Sequence, residues 1–177
     1  MKHEVDGSVA KYKACFVAKE FSQKEGIDYE ETFTPVARYF SIWTIISPAA
    51  EMGWRVHQMN FKNAFLNGVI KEEVYIEQPD WFDVENKEMH VCRLHRALYG
   101  LKQAPRAWYS RIDNYLREMR FQGSEANHNL YFLTGEVPLV LVLYVDDLFL
   151  TGDERLIGEC KSNLAVEFEM KDLGLMH

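Results

Sequence analysis

Seven consecutive apolar residues, LVLVLYV at 139–145, run straight into Asp146 and Asp147, and a second apolar stretch, LFLT at 148–151, follows at once. The first run is far too short to cross a bilayer. Its alternating Leu and Val suit a buried strand, and the second stretch predicts another. The two carboxylates then fall at the tip between two apolar strands. A strand over 129–133, a turn around Gly135 and the strand over 139–144 predict an antiparallel hairpin just upstream.

Adjacent carboxylates at such a tip are costly. Either mutual repulsion raises one pKa or a bound cation offsets both charges. A hard divalent ion such as Mg²⁺, which takes oxygen ligands, is the natural candidate. An Asp-Asp turn is also a common way to close a hairpin with no ligand at all. At this stage both readings stand.

The remaining pattern mixes helices with strands. KYKACFVAK at 11–19 reads as a strand with basic flanks, 54–59 as another, and 73–78 alternates through Val74 and Ile76. Residues 42–52 have helical spacing, but Pro48 lies inside and should kink or break the helix. The best helix spans 104–121, with Trp108, Ile112, Tyr115, Leu116 and Met119 on one stripe and Pro105 in the first turn. A last helix over 153–168 would bury Leu156, Ile157, Cys160, Leu164 and Phe168. This irregular order fits an α+β fold better than repeated βαβ units. No repeat or linker marks a boundary, so one domain over 1–177 is expected.

Composition supports a folded, soluble chain: 47% of its 177 residues are hydrophobic and 14% aromatic. No amino-terminal apolar segment suggests export, no stretch suggests a membrane span, and Cys15, Cys92 and Cys160 lack zinc spacing. These features point to an intracellular, cytoplasmic protein with reduced thiols. A net charge of −7 argues against a nucleic-acid partner until it is divided by segment. Residues 91–120 carry 7 basic and 2 acidic groups, net +5, with Arg93, Arg96, Lys102, Arg106, Arg111, Arg117 and Arg120 interleaved with Tyr99, Trp108 and Tyr109. By itself this island reads more simply as a solvated face balancing acidic neighbours than as a phosphate-binding surface.

Four blocks in order cover nearly the whole chain: YKACFVAKEFSQKEGIDYEETFTPVARYFSI, VHQMNFKNAFLNGVIKEEVYIEQP, VCRLHRALYGLKQAPRAWY and LVLYVDDLFLTGD. Together they resemble the reverse transcriptase of copia-type LTR retrotransposons. The resemblance implies an RNA-directed DNA polymerase cut from a Pol polyprotein, with a fingers-and-palm fold truncated before the thumb. It implies two Mg²⁺ ions, an RNA or DNA template with primer, and deoxynucleoside triphosphates as partners, and in the family a virus-like particle in the cytoplasm. On this resemblance Asp146 is the main metal-binding carboxylate of the YVDD turn and Asp147 its neighbour. Phe65 corresponds to the aromatic gate against a ribose 2′-hydroxyl, and Gln103 to a glutamine lining the nucleotide pocket. Lys11, Lys13 and Lys19 fall on the strand whose basic residues bind the incoming triphosphate.

The chain also departs from the family's pattern. Asn60 stands where the family has the third metal-binding aspartate, after VHQM. An amide offers a carbonyl oxygen but no charge, so a rate loss of roughly a thousandfold or more is expected. Cys15 and Trp43 stand for arginine, Glu20 for glycine and Asn127 for a frequent aspartate, while Pro48 interrupts a helix that the family leaves intact. Each of these except Pro48 is a single C-to-T or G-to-A transition from the family's residue, consistent with a silenced copy decayed by deamination of methylated cytosines. Pro48 and Phe61 require transversions, so this origin is partial. The coding DNA tests it through TpG or CpA remnants at those codons. Three readings follow: an impaired reverse transcriptase fragment, a non-catalytic remnant that binds nucleic acid or protein, and, most remote, an unrelated α+β domain with a structural turn.

Overall fold

The computed structural model describes residues 2–3, 9–11, 16–32, 34, 39–79 and 89–176. Chain order begins with a short ribbon, β1 (Lys2–His3) against β2 (Val9–Lys11). Helix α1 (Tyr39–Met52) leads to β3 (Val56–Phe61), and a second ribbon pairs β4 (Tyr75–Ile76) with β5 (Cys92–Arg93). Helix α2 (Ala104–Glu118) precedes β6 (Gln122–Gly123), β7 (Leu130–Leu133), β8 (Leu139–Tyr144) and β9 (Asp147–Gly152). Helix α3 (Glu154–Glu167) and β10 (Met170–Leu175) follow. The main sheet has six strands in the order β10-β3-β9-β8-β7-β6, every neighbouring pair antiparallel.

The alternation of β8 explains how the sheet is covered. Leu139, Leu141 and Leu143 face one way, with Leu148 and Leu150 of β9 and Met59 and Phe61 of β3, and are buried under α2 and α3. Those helices present the predicted stripes: Trp108, Ile112 and Leu116 from α2, and Ile157, Cys160 and Leu164 from α3. Each large side chain buried here contributes about 1.5–3 kcal/mol. Val140, Val142 and Phe149 face the other way, where α1 lays Ile42, Ile45 and Ile46 across them. Asp153 caps α3 by accepting the Leu156 N–H at 2.9 Å.

Four expectations need correction. Helix α1 runs unbroken through Pro48, which is exposed, while Ile45 before it is buried against Val142 and Phe149 of the sheet and Ala49 after it is buried too. Of the strand expected over 11–19, Lys11 belongs to β2 and 16–19 are irregular, while 12–15, with Lys13 and Cys15, lie outside the described residues. The strand over 73–78 shrinks to two residues. Strand β3 reaches Phe61 rather than ending at Met59, which brings Asn60 into the sheet. Among the described residues, no helix is long and apolar enough to cross a membrane.

Candidate active site

Tyr144 pairs with Asp147, so Val145 and Asp146 alone form the β8–β9 turn. Only the first of them takes positive φ, 54° at Val145, the pattern of a type II′ turn, whose first position ordinarily asks for glycine. A β-branched residue there costs on the order of 1–3 kcal/mol unless its surroundings hold it. Those surroundings are visible. The Val145 carbonyl accepts the Trp108 indole N–H at 2.7 Å, and the Asp146 carbonyl accepts the Phe61 backbone N–H, also at 2.7 Å.

Register then sets the site. Asn60 lies opposite Asp147 in the β3–β9 ladder and opposite Lys171 on β10. The Asn60 side-chain nitrogen donates to Asp146 Oδ2 and to Asp147 Oδ1, each at 3.2 Å, and Gln58 Nε2 donates to the same Asp147 oxygen at 3.3 Å. All three side chains of the Asn60, Asp146, Asp147 group are half-buried. The amide therefore sits between the two carboxylates and supplies, as partial positive charge, part of what a cation would supply in full.

One oxygen from each aspartate lies within 3.2 Å of Asn60 Nδ2, and carboxylate oxygens gathered in this way are the ligands a hard divalent cation takes. The group offers no third carboxylate: among the described residues no cluster of three or more His, Cys, Asp or Glu side chains could hold a metal.

The other residues singled out from the sequence lie nearby on different elements. Phe65 sits in a 3-10 turn (Ala64–Asn67) shortly after β3, its ring 4.9 Å from that of Tyr99 and tilted 51° to it, and packs into both the main core and a small second one around Ile70, Val74 and Leu101. Gln103, 2% exposed, precedes α2 and spends its amide internally: Nε2 donates to the Asp28 carbonyl at 2.9 Å, and Oε1 accepts from Gln23 at 3.0 Å. It also borders a cavity of about 60 Å³ shared with Lys71 and Arg106. Lys19 is exposed beside a short 3-10 turn, and of Lys11 only the backbone is described.

The basic island is largely neutralised in place. Arg93 pairs with Glu73 at 3.1 Å, Arg106 with Glu31 at 3.4 Å, Arg117 with Asp113 at 2.8 Å and Arg111 with Glu167, while Lys102 lies over the Tyr29 ring. These ion pairs agree with the charge-balanced reading of this segment. Conversely, sequence reasoning placed Trp108 on a buried stripe and gave Phe61 no structural role, without seeing that both hold the aspartate turn. An indole N–H on a buried stripe was the available signal, since such a group must find an acceptor.

The whole chain, residues 1–177, matches the profile of the family described as reverse transcriptase (RNA-dependent DNA polymerase), and the chain belongs to that family. Within it the resemblance is to the copia type. The chain is 42% identical over 177 residues to the Retrovirus-related Pol polyprotein from transposon TNT 1-94 of Nicotiana tabacum, covering 98% of this chain and 13% of that protein. It is 40% identical to the Retrovirus-related Pol polyprotein from transposon RE1 of Arabidopsis thaliana, covering 99% of this chain and 12% of that one. A putative transposon Ty5-1 protein of Saccharomyces cerevisiae is 37% identical over 118 residues, 66% of this chain and 38% of its own length. The chain thus spans about an eighth of the length of the plant relatives. No solved structure matches it.

Proposed function

We propose that this chain is the fingers-and-palm part of a copia-type RNA-directed DNA polymerase, derived from a Pol polyprotein and impaired at its catalytic centre. The observation that carries this reading is the convergence of Asn60, Asp146 and Asp147 at the β3–β9 register, with two acids and one amide sharing a point. Asp146 and Asp147 would hold Mg²⁺. When bound, such ions activate a primer 3′-hydroxyl and neutralise the leaving pyrophosphate.

Within that centre the chain's own groups have distinct tasks. Asp146, on the turn, and Asp147, at the start of β9, present one oxygen each to the shared point. Asn60 keeps these oxygens oriented and lowers their repulsion, but contributes one negative charge fewer than an aspartate. Phe65, held rigidly by Tyr99 and two cores, would border the sugar of an incoming deoxynucleoside triphosphate. Gln103, with its amide committed to Asp28 and Gln23, would shape the pocket wall rather than donate freely. Lys11, Lys13 and Lys19 would meet the triphosphate from the amino-terminal segment. Template and primer would be gripped mainly by parts of a longer polyprotein, because this segment's own arginines are mostly paired.

Primer extension on a homopolymer RNA template with Mg²⁺ tests the reading. The natural chain should extend on the order of a thousandfold more slowly than the chain carrying Asn60→Asp, the penalty of one missing metal carboxylate. Asp146→Ala should abolish the regained activity. Full activity in the natural chain, or none after reversion, would count against the assignment.

A further inference from the structure

We propose that Trp108 is a positioning residue for the aspartate turn: its indole N–H, through the Val145 carbonyl, keeps a valine in a left-handed conformation and thereby fixes where Asp146 points. The consequence for catalysis rests on the function proposed above; the positioning itself does not.

Three observations converge. Val145 is the β-branched residue at φ 54°, and the residue is 42% exposed, so burial does not hold it there. The Trp108 Nε1 to Val145 O bond is short, 2.7 Å, and comes from a residue only 2% exposed on the rigid α2 stripe. The second turn carbonyl, that of Asp146, is bound by Phe61, whose ring meets the Trp108 ring edge-on at 4.9 Å and 70°. Phe168 closes the same cluster, 5.4 Å from Phe61 and 5.7 Å from Trp108. The two donors that hold the turn are thus packed against each other. Loosening one should loosen the other's grip on Asp146.

This placement explains the choice of residue. A buried indole that served only packing would still need an acceptor for its N–H. Here the acceptor is Val145's own carbonyl, which a change of φ at Val145 would swing away from the indole. A phenylalanine would fill most of the space and leave that carbonyl free to turn.

Amide hydrogen exchange on the full natural chain, read by NMR, tests the proposal without metal or substrate. The Trp108 indole proton should exchange at least about tenfold more slowly than that of Trp43, whose side chain is largely exposed. Equal rates would overturn the proposal. Trp108→Phe should speed exchange of the Phe61 amide about fivefold, the worth of one ordinary hydrogen bond, with less change at Leu141 in the middle of β8. In a chain already carrying Val145→Gly, where positive φ costs nothing, the same change should move Phe61 less than about twofold. An equal rise at Phe61 and Leu141, or an undiminished effect with Val145→Gly, would reduce Trp108 to a packing residue and overturn the proposal.

With Asn60→Asp present, Trp108→Phe should lower the primer-extension kcat about fivefold and leave KM for the nucleotide unchanged. Should that reverted chain extend no primer at all, the functional reading fails, while the exchange rates still decide the role of Trp108.

Discussion

Asn60 faces Asp147 across the β3–β9 ladder and gives its carboxylate a hydrogen bond at 3.2 Å, with the same nitrogen reaching Asp146 on the other side. An acid at this position would repel both neighbours; the amide attracts both. The two carboxylates and the amide thus form a cluster that satisfies itself.

Asn60→Asp should therefore make stability depend on divalent cations. In EDTA the variant loses two hydrogen bonds to carboxylates and gains a like charge, a cost of roughly 1–3 kcal/mol. For a chain of this size that lowers Tm by roughly 2–12 °C. Millimolar Mg²⁺ should close most of the gap in the variant and shift the natural chain far less. Thermal melts of both chains with and without Mg²⁺ provide the check; a variant insensitive to the ion would contradict the cluster as drawn.

Gly68→Ala should be among the more damaging small changes. A Cβ at this position would lie 2.7 Å from the Trp108 nitrogen and 2.8 Å from the Ala107 carbonyl carbon, both backbone atoms of α2 that cannot yield separately. Overpacking of this kind costs about 1–3 kcal/mol. A lowered urea midpoint with unchanged m-value is the expected result. Because Gly68 ends the 3-10 turn that carries Phe65, the aromatic pair with Tyr99 should be disturbed as well.

The acid limb of stability should depend on Asp172. Hydrogen bonds from Lys161, at 2.8 and 3.0 Å, hold its carboxyl below the ordinary carboxylate range, assisted by the Gly174 N–H. A carboxyl lowered in the folded state contributes stability above its unfolded pKa of about 4, and that contribution is lost as pH falls through the folded value. Asp172→Asn should thus be less stable than the natural chain at pH 6, and the difference should vanish toward pH 2. Urea titrations across this range measure it; a difference constant with pH would exclude the ionic origin.

Cys160 should report global unfolding. Burial under α3 pushes its thiol up to about 12, so almost no thiolate exists at neutral pH. Modification by iodoacetamide at pH 8 should be negligible in the folded chain and become rapid only at denaturant concentrations that unfold it. Fast labelling of Cys160, located by mass spectrometry, in native buffer would show that the α3 face opens locally.

Much of this architecture was legible in advance. The 139–144 strand matches β8 residue for residue, the stripes of α2 and α3 bury or half-bury the residues their spacing picked out, and Asp146 sits in the hairpin turn with Asp147 beside it at the start of β9. Local periodicity suffices for such elements, because one face must be apolar at period 2 or 3.6. Strand β10 was not legible. Lys171, Asp172 and Leu173 are consecutively exposed, so nothing in their pattern announces a strand; pairing with β3 makes it one. The partners of the basic island were not legible either, since three of its counter-charges come from Glu31, Glu73 and Glu167, far away in the chain.

By itself, then, the sequence determined strands β7 to β9, the helical stripes, the family and the presence of an amide, Asn60, after VHQM, all of which are matters of residue type and short spacing. Tertiary structure decided what that asparagine does. Cross-strand register set it between two acids 86 and 87 residues away, and packing of α2 beneath the turn delivered the Trp108 N–H to the carbonyl of a strained valine. Hydrogen bonds of this kind act only within about 3 Å, and no local pattern records which distant groups the folded chain will bring that close.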